Sequence, residues 1–122
     1  MEPALMMKTS VVLLTITALG GVVMAIMRFR SEANPPSWLA MLHGLLAGAA
    51  LTLLLYAFFT VGLPSLASWG LLLFVVAALG GVFLNLTYHA KMVPLPKGIV
   101  IVHGGLAVAG YVLLLIPTFL AR

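Results

Sequence analysis

Hydrophobic residues form four long runs along the chain, and short polar or turn-forming segments separate them. The runs cover Thr9–Met27, Ser37–Thr60, Ser65–Tyr88 and Gly98–Leu120. A transmembrane helix needs about 17–25 predominantly apolar residues, and each run falls within that range. Prolines stand just before the second and fourth runs, where a missing backbone N–H is tolerated at a helix start. The pattern therefore predicts four membrane-spanning helices.

The composition agrees with a protein that lies in the bilayer. Of the 122 residues, 64% are hydrophobic and 7% are charged, whereas soluble domains carry about 25% charged residues. The net charge of +4 comes from six cations that lie where the apolar runs stop. Such scattered cations form no basic patch, so we do not expect a nucleic-acid partner. Spans and loops use up the sequence, and we predict one transmembrane domain over residues 1–122.

The first half of the sequence recurs in the second half at a shift of 60 residues. The matches include Ala18–Val22 with Ala78–Val82, Pro36 with Pro96, and His43-Gly44 with His103-Gly104. We interpret this as a duplicated two-helix unit, covering residues 9–60 and 65–120. A unit with two spans returns the chain to the same side, so the repeats are parallel. The predicted fold is an all-α, up-down-up-down four-helix bundle.

The distribution of basic residues predicts the orientation of this bundle. The first and third loops share one side of the membrane and hold Arg28, Arg30, Lys91 and Lys97, while Lys8 and Arg122 lie on the other. Cytoplasmic loops carry an excess of Lys and Arg. We therefore expect an integral protein of a bacterial inner membrane, with its charged loops in the cytoplasm and both termini outside.

Few residue types in the spans can carry chemistry. The two acidic residues, Glu2 and Glu32, lie outside the runs, and the chain contains neither aspartate nor cysteine. This excludes a membrane carboxylate for proton coupling, a Ser-His-Asp hydrolase and a thiolate nucleophile. His43 and His103 are the ionisable residues that remain within the spans. An ionisable residue inside a span is a functional-site hypothesis by default.

The repeat places the two histidines at the same depth, on helices that are diagonal in the predicted bundle. With neighbouring helices about 8–10 Å apart, the diagonal is roughly 11–14 Å, which suits an imidazole–metal–imidazole arrangement. Gly21 and Gly81 fall in the same layer and leave room for a flat macrocycle, although close helix packing also explains them. Arg28 and Arg30 lie on the same side and could meet haem propionates, although the topology alone accounts for their charge.

These features resemble the small four-helix membrane b-type cytochromes, in which histidines on transmembrane helices bind haem iron. The resemblance implies that His43 and His103 are the axial ligands of one haem b per chain. Many members of that group hold a second haem near the other face. Residues 52–78 contain no histidine, so the resemblance does not extend to a second site.

Electron transfer is the function that the resemblance implies. One haem near one face cannot carry electrons across a hydrocarbon core ~30 Å thick, so it would exchange them with a quinone or a partner redox subunit. Besides the lipid bilayer, a second copy of the chain is a candidate partner, in a homo-oligomer. The alternative is a non-redox membrane subunit or small transporter whose histidines are structural or relay protons. The sequence leaves open whether the protein is an enzyme.

Overall fold

The computed structural model describes residues 2–120, and it consists of four helices joined by short loops. The helices are α1 (Pro3–Arg30), α2 (Ser37–Thr60), α3 (Ser65–Leu84) and α4 (Lys97–Leu115); α3 continues as a π-helical turn over Asn85–His89, and α4 over Ile116–Leu120. All four are long and apolar enough to cross a membrane. The all-α, four-span prediction is therefore confirmed. Arg122, used above to predict the orientation, lies outside the described residues.

The helix boundaries follow the proline positions. α2 begins at Ser37, directly after Pro36, as predicted, whereas α1 begins at Pro3 rather than at Thr9. Proline is favoured in the first turn of a helix, and α1 therefore extends beyond the apolar run at its N-terminal end. Pro117 lies in the π-helical turn that ends α4. Because proline cannot donate the regular backbone hydrogen bond, the helix cannot continue unchanged through it.

The four helices pack as two hairpins that meet along a seam. Contacts are most extensive between α1 and α2 (hairpin one) and between α3 and α4 (hairpin two), and fewer contacts join α1 to α4 and α2 to α3. A hydrogen bond of 2.6 Å between the hydroxyls of Thr15 and Tyr111 crosses the α1–α4 side of the seam. The seam is therefore the less extensively packed boundary of the bundle.

Both hairpins have a close contact between their helices at positions that are 60 residues apart in the sequence. In hairpin one, the Ser10 hydroxyl donates to the carbonyl oxygen of Ala50, at 3.3 Å. In hairpin two, a Cβ added to Gly70 would lie 2.8 Å from the carbonyl oxygen of Gly110. Small residues allow helix backbones in a membrane to approach this closely.

The apolar core occupies only one half of the bundle. Its buried members are Met7, Val11, Leu14, Ala50, Leu54, Ala67, Leu71, Phe74 and Leu114. Residues 18–49 and 78–109 make up the other half, called here the histidine half because it contains His43 and His103. In those two ranges only Arg28, Pro35 and Leu84 are buried. The bundle is thus tightly packed at one end and open at the histidine end.

The Gly70–Gly110 approach makes a prediction about stability. In Gly70→Ala the new Cβ meets a backbone oxygen at 2.8 Å, so the helices of hairpin two must separate. We expect the free energy of unfolding in detergent to fall by ~1–3 kcal/mol, the usual cost of overpacking. Gly48→Ala is the matched control, because a Cβ there meets nothing within 4 Å. Equal stability of the two variants would contradict the close approach.

Candidate functional site

The structure brings His43 and His103 together across the seam. His43 comes from α2 of hairpin one and His103 from α4 of hairpin two, and both are half-buried. Their ring centroids are 6.2 Å apart, and the ring planes are inclined by 66°. Each histidine follows the first residue of its helix by six positions, so the two lie at matching places along α2 and α4.

Each imidazole is held by the backbone of the other helix in its own hairpin. The Nδ1–H of His43 donates to the carbonyl oxygen of Thr17 at 2.9 Å, and that of His103 donates to the carbonyl oxygen of Ala77 at 2.7 Å. In a neutral imidazole whose Nδ1 carries the proton, Nε2 keeps its lone pair. A backbone hydrogen bond of this kind is the usual orienting contact of a metal-binding histidine.

Glycine makes room for each of these rings. A Cβ added to Gly21 would lie 3.0 Å from Cε1 of His43, and a Cβ added to Gly81 would lie 3.0 Å from Cε1 of His103. Both distances are shorter than an ordinary carbon–carbon contact of about 3.5–4.0 Å. Gly21 and Gly81 thus lie in the histidine layer, and the group that each accommodates here is the imidazole itself. Their predicted contact with a macrocycle stays a prediction.

The glycines of the Gly44-x-x-x-Gly48 pattern do not serve as a packing surface within the described chain. A Cβ at Gly44 or Gly48 would meet nothing within 4 Å, and the same is true at Gly104, which follows His103. Gly44 and Gly48 are exposed, so they lie on the outer surface of the bundle. Close packing of helices therefore explains Gly70 and Gly110. It does not explain Gly44 and Gly104, which directly follow the two histidines in the sequence.

The separation of the two rings fits a metal ion bound between them. Two imidazoles on opposite sides of one metal ion have ring centroids roughly 6 Å apart, because each metal–nitrogen bond is ~2 Å long. The observed distance is 6.2 Å. Among residues 2–120 no group of three or more His, Cys, Asp or Glu side chains could hold a metal. The site therefore offers two protein ligands, both nitrogen.

The two predicted propionate partners have different surroundings. The Arg28 side chain is buried, its Nε–H donates to the carbonyl oxygen of Leu95 at 2.8 Å, and its Nη1–H donates to that of Ser31 at 2.8 Å. Arg30, the last residue of α1, is exposed. Arg28 thus contacts the loops in this structure, and the pairing of either arginine with propionates stays a prediction.

Two polar residues that the sequence reasoning did not assign also join the loops near this end. Nδ2 of Asn34 donates to the carbonyl oxygen of Val93 at 2.8 Å, and its Oδ1 accepts from the N–H of Leu95 at 2.9 Å. The Nε2–H of His89 donates to the carbonyl oxygen of Pro35 at 2.8 Å. Their position in the sequence could have indicated this role, because Asn34 lies in loop 31–36, His89 directly precedes loop 90–96, and both side chains can form hydrogen bonds.

An apolar groove of about 370 Å³ lies between α3 and α4, next to His103. Gly80 and several aliphatic and aromatic side chains line it, namely Val76, Leu79, Phe83, Ile99, Val102 and Leu106. Ligand sites of roughly 300–1,000 Å³ are typical of proteins, and they are mostly lined by apolar groups. The imidazole of His103 therefore borders space that an apolar group could enter.

No family model, no curated protein and no solved structure matches this chain. The site combines two neighbouring imidazoles, with ring centroids 6.2 Å apart, and two Nδ1–H groups that are each fixed by a backbone carbonyl.

The glycine contacts predict a selective effect of small substitutions. In Gly21→Ala the new Cβ displaces the His43 ring from the Thr17 carbonyl, and in Gly81→Ala it displaces the His103 ring from that of Ala77. We expect the imidazole nitrogen resonances of histidine-labelled protein to shift accordingly. Gly20→Ala and Gly80→Ala are matched controls, since their Cβ atoms lie at least 3.8 Å from any group. Unchanged spectra in all four variants would show that these glycines do not accommodate the rings.

Proposed function

We propose that this chain is a membrane-embedded haem b protein that transfers electrons, with one haem held by Nε2 of His43 and Nε2 of His103. The observation that carries the proposal is the pair of neighbouring imidazoles, with centroids 6.2 Å apart and each Nδ1–H bonded to a carbonyl of the other helix in its hairpin. In each ring the proton is on Nδ1, so Nε2 keeps its lone pair and is free of the hydrogen bond to the carbonyl. Two such nitrogens are the axial ligand set of a b-type haem.

The number of ligands favours haem over a bare metal ion. Structural zinc sites use four protein ligands and catalytic ones use three. This site offers two, and a porphyrin supplies the other four nitrogen ligands of a six-coordinate iron. Only three side chains are buried over residues 18–49 and 78–109, so a group inserted between the hairpins there would displace few core contacts.

Bound haem supplies reversible one-electron chemistry. The residues of this chain orient the ligands and control their surroundings. The carbonyl oxygens of Thr17 and Ala77 fix the ring planes and raise the basicity of Nε2, as outer hydrogen bonds do for metal-binding histidines. The apolar faces of the helices keep water away from the centre. Gly21 and Gly81 allow each ring to reach its carbonyl.

The proposal also covers the topology, the orientation and the partners of the chain. The contacts Ser10–Ala50 and Gly70–Gly110, which lie 60 residues apart in the sequence, support a duplicated, parallel two-helix unit in an up-down-up-down bundle. The charged loops face the cytoplasm, and the histidines lie roughly 9 Å from that boundary, since each is six residues into its helix. A quinone in the bilayer or a redox partner subunit exchanges electrons with the centre. Association of copies of the chain is compatible with either partner.

The ligand assignment predicts the effect of removing each imidazole. We expect His43→Gly and His103→Gly to lose most of the bound haem or to convert it from a low-spin to a high-spin spectrum. One axial imidazole leaves the iron five-coordinate. Added free imidazole should restore the low-spin spectrum of either variant, because the substitution leaves a cavity beside the iron. The measurement is the absorption spectrum of purified protein, in its oxidised and reduced forms.

Leu45→Gly is the matched control for this experiment. Leu45 is exposed and lies two positions from His43 on α2, so its variant introduces the same residue into that helix but keeps both proposed ligands and the low-spin spectrum. A wild-type protein that stays colourless after expression with haem available would overturn the proposal. It would favour the non-redox alternative, in which the two imidazoles join helices or relay protons.

A further inference from the structure

We propose that Arg28, Asn34 and His89 form a clasp between the two hairpins that sets the distance between His43 and His103. The hydrogen bonds of these three side chains go to backbone groups of the loops, so the three are positioning residues rather than ligands. The clasp concerns the spacing of the hairpins. Its consequence for haem retention rests on the function proposed above.

The clasp is reciprocal, because each hairpin reaches into the loop of the other. Arg28, near the end of α1, donates from Nε to the Leu95 carbonyl oxygen of hairpin two. His89, at the end of the π-helical turn after α3, donates from Nε2 to the Pro35 carbonyl oxygen of hairpin one. Pro35 and Leu95 are 60 residues apart, so the two acceptors occupy equivalent positions in the repeat.

Asn34 closes the centre of the clasp. It donates to Val93 and accepts from the backbone N–H of Leu95, so one amide engages both a donor and an acceptor of the opposite loop. Leu95 thus uses its N–H for Asn34 and its carbonyl for Arg28. This cross-linked set fixes loop 31–36 against loop 90–96 in one register.

Apolar packing contributes little to holding the two hairpins together at the histidine end. The core cluster lies in the other half of the bundle, and Leu84 is the one large aliphatic side chain buried in the histidine half. The hydrogen bonds of the clasp join the hairpins at that end, where the exposed Glu32 carboxylate of hairpin one also lies 3.8 Å from Nζ of Lys97 of hairpin two. Arg28 is 5% exposed, and its guanidinium also lies 3.7 Å from the Glu32 carboxylate. A charged group held in this way forms stronger, better-defined hydrogen bonds than a neutral one.

The first test measures hairpin spacing without haem. The chain contains no cysteine, so spin labels at Met41→Cys on α2 and Ile101→Cys on α4 report one distance across the seam. Both sites are exposed, and they lie at equivalent repeat positions. We expect Asn34→Ala, His89→Ala and Arg28→Gln each to lengthen or broaden the distance distribution in pulsed spin-resonance measurements.

Arg30→Gln is the matched control, because it removes the same charge two residues away from Arg28 and Arg30 is exposed. It should leave the distance unchanged. If Arg28→Gln fails to insert, the Asn34 and His89 variants carry the test, since they alter no buried charge. Distributions identical to that of the parent in both would overturn the clasp, whatever the protein binds.

The second test measures release of haem to an excess of a soluble haem-binding protein. Asn34→Ala removes two hydrogen bonds, and we expect release on the order of tenfold faster than from the parent. Lys91→Gln, which removes an exposed positive charge from the loop after α3, should release haem at the parental rate. Faster release from both Arg28→Gln and Arg30→Gln, with normal release from Asn34→Ala, would show that charge rather than the clasp retains haem. A parent that binds no haem overturns the proposed function and leaves the distance test in force.

Discussion

The hydrogen bond from each imidazole to a helix carbonyl is the constraint around which this bundle is arranged. Inside a bilayer a polar side chain must find its partner within the protein, because the hydrocarbon offers none. The His43 ring finds it at the carbonyl oxygen of Thr17, on the helix beside it. That contact brings the ring so close to the backbone of α1 that a Cβ at Gly21 would lie 3.0 Å from its Cε1. One glycine and one histidine in each hairpin therefore depend on each other.

The same two-helix plan is stabilised by different residues in the two hairpins. At the close contact between helices, hairpin one uses the Ser10 hydroxyl where hairpin two uses the bare backbone of Gly70. At the loops, the acceptor positions are equivalent, but the donors are an arginine in one hairpin and a histidine in the other. The contacting backbone positions thus correspond between the hairpins, whereas the side chains at them differ.

Packing density changes along the length of the bundle, and the site lies where it is lowest. The cluster around Leu54, Leu71 and Leu114 holds the hairpins together at one end, with the Thr15–Tyr111 hydrogen bond beside it. At the other end the contacts between loops are polar. The histidines lie between these two regions, in a layer where glycine is abundant. Few side chains are buried in that layer, so it contributes little to the apolar core.

The four spans were predictable from the sequence, since a backbone crossing hydrocarbon must satisfy its own hydrogen bonds and long apolar runs leave it only the helix. The pairing of His43 with His103 was a reasonable expectation for a related reason, because a repeat puts equivalent residues at equivalent depths. The partners of those side chains were not predictable. A carbonyl acceptor such as that of Thr17 or Leu95 is present at every residue, so residue type carries no information about which one is used. Only the packing of α1 on α2, and of one loop on the other, selects it. For the same reason Gly21 could be placed in the histidine layer from its position, but the group against which it packs was decided by the tertiary structure.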